Sequence, residues 1–75
     1  MIRNRFAVLL AEKERRDGRK WRYEEIREAA GVNPATLTKY ARQYVTVFDF
    51  RTLARLCAFL ECDIGDLLVQ VEDAD

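Results

Sequence analysis

The sequence predicts a small all-α domain of five helices. Apolar residues recur at three- and four-residue steps along most of the chain, cap-forming residues precede such stretches at Asn33, Asp49 and Asp63, and glycines follow them at 18 and 31. The 75 residues suffice for one domain, expected to span 1–75 with 72–75 as a frayed tail. A core of this size supplies about 3–5 kcal/mol of net stability without staples or partners.

In order, Ile2, Phe6, Leu9, Leu10 and the stem of Lys13 share a helical period, so a first helix is expected from Ile2 to about Arg16. Asp17 and Gly18 supply turn chemistry, and Arg19 to Arg22 form a basic connector. A second helix, Tyr23 to Ala30, has Glu24 and Glu25 at its positive end and Ile26, Ala29 and Ala30 on one face; Gly31 stops it. Asn33 before Pro34 is a strong start signal, because proline at the first helical position lacks only an N–H that would be unpaired anyway. The third helix turns Leu37, Tyr40 and Ala41 inward and ends near Gln43 or Tyr44.

Val45 to Phe48 is β-branched and aromatic but short, and is read as a loop. Asp49 caps a fourth helix with Leu53, Leu56, Cys57 and Leu60 on its core face, and Phe48 and Phe50 are expected to fill the core. Asp63 caps a last short helix through Ile64, Leu67 and Leu68. Val69 to Val71 alternates like a strand, free to pair with the N-terminal residues or with a second subunit.

Composition narrows the function. The longest apolar runs, such as Phe6 to Ala11, are too short for the roughly 20 residues of a membrane span. Arg3 and Arg5 precede an apolar stretch, but Glu12, Lys13 and Glu14 stand where a signal-peptide cleavage site belongs, so a cytoplasmic protein with no membrane partner is expected. Cys57 and Cys62 have no histidine and no further thiol to complete a zinc site of about four ligands, and no cofactor is expected. With neither histidine nor serine and no glycine-rich phosphate loop, catalysis has no basis.

The formal net charge is zero, yet its distribution is lopsided. Residues 1–56 carry all 13 bases against 7 acids, a balance of +6, whereas residues 57–75 carry 6 acids and no base. A basic front of this kind is the electrostatic footprint of nucleic-acid binding.

The run Tyr23-E-E-I-R-E-A-A-G-V-N-P-A-T-L-T-K-Tyr40 is two short helices joined by a glycine-containing turn. It resembles the lambda-repressor-like (Cro/CI-type, XRE family) helix-turn-helix, through Ile26 and Ala29, Gly31 and Val32, and Leu37 and Tyr40. The downstream Thr52-L-A-R-L-C-A-F-L-E-C-D-I-G-D-L-Leu68 looks like the closing helices of the same fold. Departures are Arg27 in place of a small alanine, Arg22 at the usual Ser or Thr cap, Tyr23 at a common Gln, and Gln43 in place of a turn glycine. Arg27 must therefore snorkel outward or open the helix pair.

The resemblance implies a five-helix lambda-repressor-like bundle and a DNA-binding transcriptional regulator, a repressor, whose third helix enters the major groove. By position Pro34, Ala35, Thr38 and Lys39 would read bases, while Arg22, Tyr23, Thr36 and Arg42, with Arg19 and Lys20 further out, would hold phosphates. Only Thr38 and Lys39 of the first group form hydrogen bonds, so DNA shape is expected to contribute. The expected partner is double-stranded DNA with a palindromic operator, bound by a weak homodimer formed through Phe59, Val69 and Val71, with no small-molecule ligand. The alternative is a protein-interaction module on the same fold, such as an antitoxin-like or accessory subunit.

Overall fold

The computed structural model describes residues 1–72. The order is β1 (Ile2–Asn4), α1 (Phe6–Asp17), α2 (Tyr23–Ala30), α3 (Pro34–Ala41), α4 (Phe50–Leu60), α5 (Ile64–Leu67) and β2 (Leu68–Gln70). Five helices surround one core in which Phe6, Ile26, Leu37, Tyr40, Leu56 and Leu67 are the fully buried large side chains. Burying a side chain of this kind contributes about 1.5–3 kcal/mol, so a few positions drawn from every helix hold the domain together. Of the tail 72–75 expected to fray, residues 73–75 lie outside the described residues.

The N-terminus departs from expectation. The first helix starts at Phe6, not Ile2, because residues 2–4 pair antiparallel with β2 in the register Ile2↔Gln70, Arg3↔Val69 and Asn4↔Leu68. The tail thus pairs with the N-terminal residues, and Ile2 is exposed. Asn4 decides where strand gives way to helix. It is 4% exposed; its Oδ1 accepts from the Phe6 N–H (3.0 Å), and its amide donates to the Tyr40 carbonyl (3.1 Å) and to Gln43 Oε1 (3.2 Å). Gln43 completes the exchange, accepting from the Asn4 N–H at 3.2 Å and donating to its carbonyl at 2.7 Å.

That exchange also explains why α3 ends at Ala41, short of the expected Gln43 or Tyr44. Gln43 adopts φ 61°, the left-handed turn for which glycine is the unstrained choice, and its three hydrogen bonds with Asn4 compensate. Tyr44 then donates its N–H to the Lys39 carbonyl (2.8 Å), closing the helix end.

The α1–α2 connector is held by a residue the charge pattern obscures. Trp21 donates its N–H to Glu14 (2.7 Å), stacks edge-on against Phe59 (5.0 Å between ring centres) and carries the Arg19 guanidinium 4.0 Å above its ring. The Lys13 ammonium sits 5.0 Å from the Phe59 ring and pairs with Asp17 at 3.2 Å. Gly18 ends α1 at φ 68°.

Three further side chains sit differently from expectation. Phe48 does pack on Tyr40 (5.8 Å between ring centres), but Phe50 is 90% exposed, because Asp49 caps α4 through the Thr52 N–H (2.8 Å) and sets Phe50 on the outer side of the first turn. Ala29 faces solvent, since Ile26 alone of α2 is fully buried. The last helix stops at Leu67, and Leu68 opens β2.

Removing the Asn4 side chain leaves the Phe6 N–H without a partner and takes one donor from the Tyr40 carbonyl, which then keeps only its backbone donor from Gln43. Asn4→Ala is expected to destabilise the domain by about 1–3 kcal/mol in urea unfolding, and an unchanged midpoint would refute the role given to this side chain. Acid sensitivity follows from the caps. The Asp49 carboxyl is held below its ordinary 3.8 by the Thr52 N–H, and Glu25 below 4.5 by the Arg22 N–H and then the Arg19 guanidinium. Both pKa values are lower folded than unfolded, so their stabilisation is present above pH 4.5 and is lost as pH falls below 3.8. Asp49→Asn should flatten the acid limb of a plot of Tm against pH; an unaltered limb would count against the cap.

Candidate nucleic-acid interface

α2 begins without an oxygen-bearing cap. Arg22 cannot accept from the helix N–H groups, and the compensation comes from Glu25, whose Oε1 takes the Arg22 N–H at 2.8 Å. Gly31 ends α2 at φ 74°, and Val32 drops into the core. Asn33 then accepts the Ala35 N–H at 2.7 Å, with Pro34 in the first turn of α3. The Arg55 guanidinium of α4 donates to the Gly31 carbonyl at 3.0 Å, fastening the turn to the body. Arg27 takes the outward course: it is exposed and pairs with Glu24 at 3.4 Å.

The helical period divides α3 cleanly. Leu37 and Tyr40 are buried, whereas Ala35, Thr38, Lys39 and Arg42 are all exposed. Their spacing of three, four and seven residues from Ala35 makes one continuous outer stripe. Lys39 forms no ion pair among the described residues, so its ammonium is free for a partner. Thr38 is less free, because its hydroxyl donates back to the Pro34 carbonyl at 3.1 Å. Pro34 itself is half-buried and serves the helix start.

The residues expected at phosphates divide into three kinds. Arg22 and Arg42 are exposed at the start of α2 and the end of α3. Tyr23 and Thr36 are half-buried, the Tyr23 ring lying 6.3 Å from that of Phe6. Arg19 is engaged with Glu25 at 2.6 Å and with Trp21, while Lys20 lies 3.9 Å from Glu14 with 92% of its side chain exposed. Exposed pairs of this sort are worth about 0–1 kcal/mol, so both cations exchange partners readily.

Two further exposed residues, which charge and helical period did not single out, stand at the two ends of α3. Tyr44 is 66% exposed and is hydrogen-bonded through its backbone to Lys39. Asn33 is exposed, and its cap uses only the side-chain oxygen, leaving the amide as a donor. Tyr44 was legible only as a helix end, since its outward setting depends on the left-handed turn at Gln43.

The sequence matches the family profile described as the Cro/C1-type HTH DNA-binding domain over residues 8–73. Among curated proteins and among solved structures nothing matches.

The geometry at Gly31 gives a direct test of the turn. An added Cβ would meet the Arg55 guanidinium at 3.7 Å, an ordinary contact, so backbone strain at φ +74° is the main cost. Gly31→Ala is expected to lose about 1–2 kcal/mol in chemical denaturation; a neutral result would mean that the turn relaxes out of the left-handed region.

Proposed function

The chain belongs to the Cro/C1-type helix-turn-helix DNA-binding family, and on that premise we propose that it is a transcriptional repressor that sets α3 into the major groove of operator DNA. The observation that carries this reading is the exposed stripe Ala35, Thr38, Lys39 and Arg42 on a helix whose opposite face is buried. A major groove about 12 Å wide admits such a helix.

Each residue then has a distinct task. The Lys39 ammonium donates to guanine O6 or N7, and the Ala35 methyl meets a thymine methyl. With its proton committed to the Pro34 carbonyl, Thr38 is left as an acceptor, suited to the amino group of cytosine or adenine. Arg42 and Arg22 approach phosphates from the two ends of the motif, with Tyr23, Thr36, Arg19 and Lys20 in supporting positions. Pro34 fixes the helix start and, with no donor, offers the bases only apolar contact. So short a set of base contacts leaves a share of specificity to DNA shape.

One module covers too little DNA for tight specific binding, so the reading includes a weak homodimer on a palindrome with half-sites about 34–36 Å apart. Phe59 is half-buried and packed against Trp21 and Lys13, which leaves only part of it for that dimer. Val69, within β2, and Val71, just after it, are half-buried. A DNA partner implies a cytoplasmic protein, and a binding role with no chemical step fits a chain without histidine or serine.

Gel-shift titration against operator-sized DNA at two salt concentrations tests the proposal. Binding should fall steeply with salt as condensed counterions are released; absent or salt-insensitive binding would favour the protein-interaction module instead. Lys39→Ala should cost about 1–3 kcal/mol on the preferred site and relax base preference, whereas Arg42→Ala should weaken all sequences alike and reduce the salt slope by about one. Equal, sequence-blind losses from both would demote Lys39 to a phosphate contact.

A further inference from the structure

The end of α4 is a closed turn with a cysteine on either side of it. The Cys62 N–H donates to the Cys57 carbonyl at 3.0 Å and the Glu61 N–H to the Ala58 carbonyl at 3.4 Å, around the left-handed Glu61 at φ 57°. This pair of bonds sets the side chain just beyond a helix against one in its last turn, a place ordinarily filled by an apolar contact. Here both are thiols, and they are the chain's two cysteines. Traced through the hydrogen bond, their α-carbons are at most about 7 Å apart, the limit beyond which a disulfide demands backbone movement. The two thiols are hydrogen-bonded to each other and half-buried. They also share two open hollows, one bordered by Glu61, Asp63 and Asp66 and the other by Leu53, Ile64 and Leu68, so a small reagent reaches both.

We propose that Cys57 and Cys62 are a dithiol–disulfide couple, a modification site at which a low-molecular-weight disulfide closes the α4–α5 corner with a covalent bridge. Burial and then the neighbouring Cys57 hold the Cys62 thiol protonated, so the Cys57 thiolate opens the exchange. It attacks one sulfur of the small disulfide and expels the other as a thiolate. Cys62 then gives its proton to water, attacks the Cys57 sulfur of the mixed disulfide and expels the second small thiolate. One S–S bond breaks and one forms, two electrons pass from the protein pair to the small disulfide, and two small thiols leave with the two protein protons. Proximity favours the bridge, because the second attack is intramolecular. The α3 stripe borders neither shared hollow, so the change is confined to the corner between α4 and α5, where Asp66 accepts the Asp63 N–H at 3.1 Å.

Equilibration of the full chain in glutathione redox buffers tests the couple, with alkylation and mass measurement of the intact chain, beside the same chain in denaturing urea. The folded protein should form the bridge at an oxidant level at least about tenfold lower than the unfolded chain needs. Its mass should fall by two hydrogens, and a peptide map should join residues 57 and 62 of one chain. A thermodynamic cycle then requires oxidation to raise the folding equilibrium constant by the same factor, read in urea titration. Cys57→Ser and Cys62→Ser should each stop at a mixed disulfide or stay reduced, and glutathione disulfide should not raise their urea midpoints. A folded chain that stops at mixed disulfides, or that needs as much oxidant as the unfolded one, would overturn the proposal. So would an oxidised chain that unfolds at lower urea than the reduced chain. None of these outcomes depends on DNA, so a chain that shifts no operator leaves the couple standing.

Discussion

One buried carboxamide ties together the parts of this domain that chain order keeps apart. Asn4 caps the start of α1 through Phe6, closes the end of α3 through Tyr40 and Gln43, and sits in the strand that pairs with β2. A buried amide with its partners missing costs about 1–3 kcal/mol, a large share of the about 3–5 kcal/mol that a core this small provides. The end of α3, where Lys39 and Arg42 stand, is therefore fixed to the N-terminal strand by a polar network and not by helix propensity. The strained backbone of Gln43 is the visible cost of that attachment.

The α3 stripe is available to a partner because its other side is fully used. Leu37 and Tyr40 anchor the helix in the core, the Tyr40 ring flanked edge-on by Phe6 and Phe48. Arg55 holds the preceding turn from α4, and Asn33 with Pro34 sets the first turn. A helix gripped at both ends and along one face presents its outer side chains at little further cost in ordering, which is the preorganisation that recognition needs. Thr38 shows the limit of such a surface, since its bond to Pro34 leaves it a single chemical role.

Charge is distributed to match. Glu61, Asp63 and Asp66 lie at the α4–α5 end, where Asp63 precedes the short last helix and Asp66, within it, accepts the Asp63 N–H. Burial and then the neighbouring Cys57 push the Cys62 thiol up to about 11, so it stays protonated beside these carboxylates. Keeping negative charge here leaves the α2–α3 motif free of it apart from Glu24, Glu25 and Glu28, of which the first two are paired with arginines. A molecule without net charge can in this way still offer a cationic face to a polyanion.

Sequence alone determined the helices whose signals are local. The bounds of α2, the Asn33–Pro34 start of α3, the Asp49 cap and the outward positions on α3 all follow from cap chemistry and a 3.6-residue period, which depend on near neighbours. Tertiary structure decided what rests on distant partners. Residues 2–4 carry a helical pattern yet form a strand, because β2 and Gln43 offer them hydrogen bonds that no local signal records. Trp21 turns a run of bases into an anchored connector through Glu14 on α1 and through Phe59, far along the chain. Phe50 reads as core from its chemistry alone; only the direction in which the Asp49 cap launches α4 sends it to the surface.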